Sequence, residues 1–164
     1  MQDIVREYGY LCLGSRLKRM GERFQAGVQA LNDDHGFPVQ TSHYPILGAL
    51  HERGPMGVSD LAEAVGIAQP GVTRAAARLA ELGLVEAIRA GRDQRQKSVR
   101  LTDAGRRLVL RAQALLWPAI ERAVREMCLE SGLTIDMVDR LEDMMQAQPM
   151  EARANAMLQK AGAK

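Results

Sequence analysis

A chain of 164 residues, 46% hydrophobic and 26% charged, has the composition of an ordinary folded protein and is long enough to bury a core. Its 22 Lys and Arg against 20 Asp and Glu leave a formal net charge of +2, so any surface for a polyanion must be local. Two cysteines exclude a disulfide framework or zinc cluster, and no apolar run approaches the roughly 20 residues of a membrane span.

In chain order, Ile4 to Leu31 carries Ile4, Tyr8, Leu11, Leu17, Phe24, Val28 and Leu31 near helical spacing. This predicts one long first helix, broken by the turn formers Asn32 to Gly36. Tyr44 to Arg53 reads as a second helix, ended at Gly54. Ser59 is placed to cap a short helix with Leu61, Ala62 and Val65 on one face, stopped by Gly66. After Ile67 and Ala68, Gln69 and Pro70 open a further helix that Gly83 ends, with Pro70 in the first turn where a missing N–H does no harm. In that helix Val72, Ala75, Ala76, Leu79 and Leu82 share the inward face, which turns Gly71, Arg74 and Arg78 outward. Leu84–Arg89 and Lys97–Leu101 alternate well enough to form a hairpin around a polar, basic loop, 90–96. Thr102 then caps a long helix running past Trp117 toward Cys128, with Pro118 expected to kink it. A last helical stretch begins near Leu133, followed by an alanine-rich tail after Pro149.

Two short helices, a hairpin and a helix start in unbroken order define a winged helix-turn-helix. The expected fold class is mainly α with a small β-hairpin wing: a winged helix-turn-helix DNA-binding lobe plus a helical dimerisation lobe. Between Gln69 and Arg100 there are seven Lys or Arg against three Asp or Glu, so basic charge gathers where a DNA-facing helix and wing would lie. From Glu126 to Glu151 there are seven acids and one base, with Leu133, Ile135, Met137, Val138, Leu141, Met144 and Met145 supplying apolar surface. Apolar terminal helices, acidic at one end, fit a dimerisation lobe that DNA would repel.

The residues resemble the MarR family of bacterial transcription regulators over nearly the whole chain. The likeness rests on LAEAVGI before the turn, VTRAAARLAELGLVE through the recognition helix, Asp93 and Arg95 in a D-x-R wing pattern, and LTDAG opening the next helix. The resemblance implies one MarR-type domain over 1–164, with 1–36 and 106–164 as dimerisation lobe and 42–105 as winged helix-turn-helix. It also implies a homodimer whose recognition helix enters the major groove while Arg95, braced by Asp93, enters the minor groove. Double-stranded DNA is the expected partner, contacted by Gln69, Gly71, Thr73, Arg74 and Arg78 from the helix and Arg92, Asp93, Arg95 and Lys97 from the wing. The segments EYGYLCLGSRLKRMGERF and HYPILGALHERGPMGVSDLAEAVGI look like the branch sometimes fused to a GNAT acetyltransferase; here a stand-alone regulator is expected.

Family ligands direct attention to a small-molecule effector pocket lined by Arg16, Met20, His43, Tyr44 and Trp117. Cys12 in YLCLGSRL resembles the sensing cysteine of the organic-hydroperoxide branch, so one alternative is a thiol-based peroxide sensor; a lone cysteine on an apolar helix is more often plain core. Another alternative is a winged-helix module that binds protein rather than DNA, against which the basic wing argues. No phosphate loop, metal tetrad or nucleophile with a base at useful spacing supports an enzyme, and no cofactor or metal is expected. The start of the chain lacks the basic residues and apolar run of a signal peptide, so a cytoplasmic repressor is the expectation.

Overall fold

Asp3 accepts the Val5 N–H at 3.1 Å and so caps a single helical turn, α1 (Ile4–Glu7). The computed structural model describes residues 3–89 and 97–162. Gly9 adopts φ +52°, which ends the helical path, and a 3₁₀ turn over Gly9–Cys12 leads into α2 (Leu13–Asp34). The first helix is therefore not continuous from Ile4: apolar spacing carries across Gly9, but the backbone does not. At its other end α2 runs past the expected break. Asn32 lies inside it and is completely buried, donating from Nδ2 to the Val39 carbonyl at 3.1 Å and accepting from the Tyr44 hydroxyl at 2.9 Å. A residue read as a turn former is instead a buried hinge pin that ties α2 to the segment entering α3 (Tyr44–Arg53).

β1 (Met56–Gly57) leads directly into α4 (Val58–Val65), and Gly57, not Ser59, is the N-cap. Gly66 closes α4 in the left-handed region at φ +66°, as its position predicts. α5 (Gln69–Glu81) has Pro70 in its first turn. Strands β2 (Val85–Arg89) and β3 (Lys97–Leu101) pair antiparallel, and β1 adds to the other edge of β3, giving the order β1-β3-β2. The two-residue β1 was illegible because periodicity needs more than two positions. Glu86 faces Arg100 across β2 and β3, and their side chains meet at 2.8 Å, which fixes the register. Thr102 accepts the Gly105 N–H at 3.1 Å and caps α6 (Asp103–Leu115) as expected.

The expected kinked helix is two helices. α6 ends at Leu115 and α7 (Trp117–Ser131) starts anew, so Pro118 occupies a first turn, where it disrupts nothing. α8 (Ile135–Ala147), capped by Thr134 through the Met137 N–H, and α9 (Met150–Gly162) complete the chain.

Contacts divide the molecule into two compact units, one through Pro118 and one from Ala119, whereas the sequence placed its lobe boundaries near 36 and 105. The first unit holds the core: Ile46, Leu47 and Leu50 of α3, Leu61 of α4, Val72 and Leu79 of α5, Val99 and Leu101 of β3, and Val109 and Ala112 of α6. Arg111 of α6 stacks 4.4 Å over the Phe37 ring and donates to the His35 carbonyl, which explains why α6 belongs with this unit. The second unit, taken alone, contains no buried residue among those described; Met127, Leu129, Ile135, Met137, Met144, Met145 and Leu158 are all exposed. No helix of the described residues is long and apolar enough to cross a membrane.

Candidate nucleic-acid interface

The face of α5 is built by burying its opposite side. Val72 and Leu79 are fully buried, so their helical neighbours Thr73, Arg74 and Arg78 are turned outward and exposed. Gln69, in the first turn, donates from Nε2 to Ser59 Oγ at 3.0 Å. Ser59, expected as a cap, therefore couples α4 to α5 and orients the Gln69 side chain, leaving its amide oxygen Oε1 to accept from a ligand. The Thr73 hydroxyl donates to the Gln69 backbone carbonyl at 2.9 Å within its own helix. Arg78 meets Glu81 at 2.7 Å one turn on, while no carboxylate lies within ion-pair distance of Arg74 among the described residues. Arg74 is thus the residue of this face most available for a phosphate or a base edge. A Cβ on Gly71 would stand 2.9 Å from Ile67 Cγ2, so a side chain there requires Ile67 to shift.

From the wing, Arg92, Asp93 and Arg95 lie outside the described residues. Lys97 is the first residue of β3.

The five residues expected to share an effector pocket are divided among three cavities. Tyr44 and Trp117 stack edge to face, with centroids 5.9 Å apart, and line an open cleft of about 560 Å³ with Pro45, Gly48 and Glu52. Arg16 and Met20 belong to a separate cleft on α1 and α2. His43 lines a third, of about 350 Å³, with Ser42, Ile46, Gly71, Arg74 and Arg78. Gly71, Arg74 and Arg78 of the outward face of α5 thus form part of the wall of that third cleft. Sequence reading missed it because its walls come from the 3₁₀ turn Thr41–His43 and from α5, which no periodicity connects. Cys12 ends the 3₁₀ turn before α2 and is half-buried. No group of three or more potential metal ligands occurs among the described residues.

His43 is only 5% exposed, and its Nδ1 has no hydrogen-bond partner among the described residues. Burial first, and the positive charge of Arg78 second, hold its pKa below 6.5. Because the folded state prefers the neutral ring, stability from this site is complete above the unfolded value of 6.5 and is lost as pH falls below it toward the folded pKa. Urea midpoints between about pH 7.5 and 5 should therefore fall for the wild type and fall less for His43→Gln. Identical slopes would remove His43 as the titrating group.

An exposed arginine-bearing helix preceded by a short helix and followed by a three-stranded wing is the architecture of winged helix-turn-helix DNA-binding proteins. Residues 35–96 match the sequence model of the MarR family. Solved structures agree in fold. A mutant MarR from E. coli complexed with operator DNA is 18% identical with a TM-score of 0.67, covering 89% of this chain and 98% of that one. The S. aureus MepR–DNA complex is 18% identical with a TM-score of 0.63, covering 82% and 94%. Bordetella bronchiseptica BpsR, whose DNA binding is regulated by 6-hydroxynicotinic acid, is 23% identical with a TM-score of 0.58, covering 82% and 96%. No curated protein matches the chain in sequence.

Proposed function

We propose that this protein is a cytoplasmic, sequence-specific repressor that binds a pseudo-palindromic operator as a homodimer and releases it when a small effector binds. The observation that carries the reading is the exposed Arg74 and Arg78 face of α5, turned outward by the burial of Val72 and Leu79 within a segment matching the MarR family. Gln69, Gly71, Thr73, Arg74 and Arg78 would meet the major groove, and Arg92, Asp93, Arg95 and Lys97 would form the wing contact. Two of the similar structures are complexes with DNA, which supports DNA as the partner. Selection of genomic fragments by the purified protein tests this: one recurring two-fold motif is expected, and indiscriminate recovery would contradict sequence-specific binding.

The effector would occupy the cleft of His43, Arg74 and Arg78, a reading supported by its mixed apolar and cationic lining. Its occupant would draw on the guanidinium groups that face DNA, so ligand and operator would compete for them. An anionic ring compound suits its apolar wall at Ile46 and Ile67 and its two arginines.

A homodimer is supported by the second unit, which has abundant exposed apolar side chains and no buried residue of its own. The helices of 1–36 and 106–164 would supply the dimerisation lobe. Light scattering should give about twice the 18.0 kDa chain mass, and removal of everything after Leu133 should give monomer or aggregate. A monomer at micromolar concentration would contradict two-fold operator reading.

A further inference from the structure

Four guanidinium groups gather where α1 meets the start of α2. Arg16, Arg19 and Arg23 recur along one face of α2, and Arg6 of α1 joins them with Asp3 and Met20 around a cleft of about 200 Å³. Asp3 is the one carboxylate in this lining, and it is already committed: Oδ1 caps α1, and Oδ2 lies 2.8 Å from Arg19 Nη2. That contact with Arg19 is the main reason the Asp3 carboxyl is held below its usual range. Glu22, outside this lining, pairs with Lys18 at 3.9 Å. Among the described residues no carboxylate lies within ion-pair distance of Arg6, Arg16 or Arg23. One acid against four arginines leaves the lining three positive charges in excess.

The geometry points to a binding site for a compact polyanion bearing phosphate groups, gripped by Arg6, Arg16 and Arg23 with Arg19 held in place by Asp3. Planar guanidinium forks match phosphate oxygens two at a time, and several forks converging on one concave surface suit a multiply charged group better than a single carboxylate. Met20 is the sole apolar side chain in the lining, so the cleft offers little to an aromatic body. A cleft of about 200 Å³ has room for a compact free anion. The site is distinct from the DNA-facing helix and does not rest on the DNA-binding reading.

Calorimetric titration of the full chain with inorganic pyrophosphate, at ionic strength matched with chloride, tests it. The wild type should bind one pyrophosphate per chain. Arg16→Gln combined with Arg23→Gln should weaken binding about tenfold or more, while Arg74→Gln combined with Arg78→Gln should leave it within about twofold. Circular dichroism melting checks that each variant folds; if the α2 double variant does not, Arg6→Gln, on the separate turn α1, should still weaken binding several-fold. Absence of saturable binding by the wild type would overturn the proposal. So would loss of binding confined to the Arg74 and Arg78 variant.

Discussion

Replacing Gly105 with alanine is expected to destabilise the first unit by about 3 kcal/mol or more, at the upper end of overpacking effects. A Cβ built on Gly105 would stand 2.0 Å from the Leu84 carbonyl oxygen and 3.2 Å from Leu101 Cδ2. The first obstacle is backbone, so no rotamer change relieves it. Leu84 also accepts the Thr102 N–H at 3.0 Å, which means that moving its carbonyl away would break the joint between the hairpin and α6. Helix propensity favours alanine over glycine at such a position, so the sign of the measured change separates steric from intrinsic effects. Urea unfolding that shows a more stable alanine variant would mean that Gly105 of α6 and the Leu84 carbonyl do not approach as closely as described.

Asn32→Ala should cost a similar amount, about 3 kcal/mol, for a different reason. Its side chain joins two groups that have no water to turn to: the Val39 carbonyl and the Tyr44 hydroxyl. Burial pushes the Tyr44 phenol up to about 12, which keeps the hydroxyl a donor well into the alkaline range. Alanine leaves both orphaned and opens a small cavity. Tyr44→Phe in the same chain removes one orphan, and the double variant is therefore expected to be clearly less unstable than the sum of the single effects. Strict additivity would show that the two side chains are not coupled.

The fold was legible where local chemistry decides the backbone. Gly66, Pro70 and Thr102 each act through their own φ angle or side-chain oxygen, and each occupies the place that its chemistry dictates. Errors fell where a distant partner decides. Asn32 looks like a turn residue until Tyr44 and Val39 arrive beside it, and Ser59 looks like a cap until Gln69 engages it. Gly9 was hidden by an apolar rhythm that continues through a left-handed residue. The α5 face was readable because one helix carries it. The grouping of Arg16, Met20, His43, Tyr44 and Trp117 was not, because these residues sit on four elements and line three different clefts, and spacing along the chain carries no record of that.

The central claim, that α5 and the wing read DNA, is tested most directly by titrating wild type, Arg74→Ala and Arg95→Ala against a selected operator fragment and a scrambled duplex at several salt concentrations. Arg74→Ala should lose on the order of 1 to 3 kcal/mol on the operator and less on the scrambled duplex, because a base-edge contact carries discrimination. Arg95→Ala should lose affinity on both, most on A·T-rich flanks, with the salt dependence shallower by about one ion per subunit. If both variants bind both duplexes like the wild type at every salt concentration, neither element touches DNA, and this winged helix serves another partner.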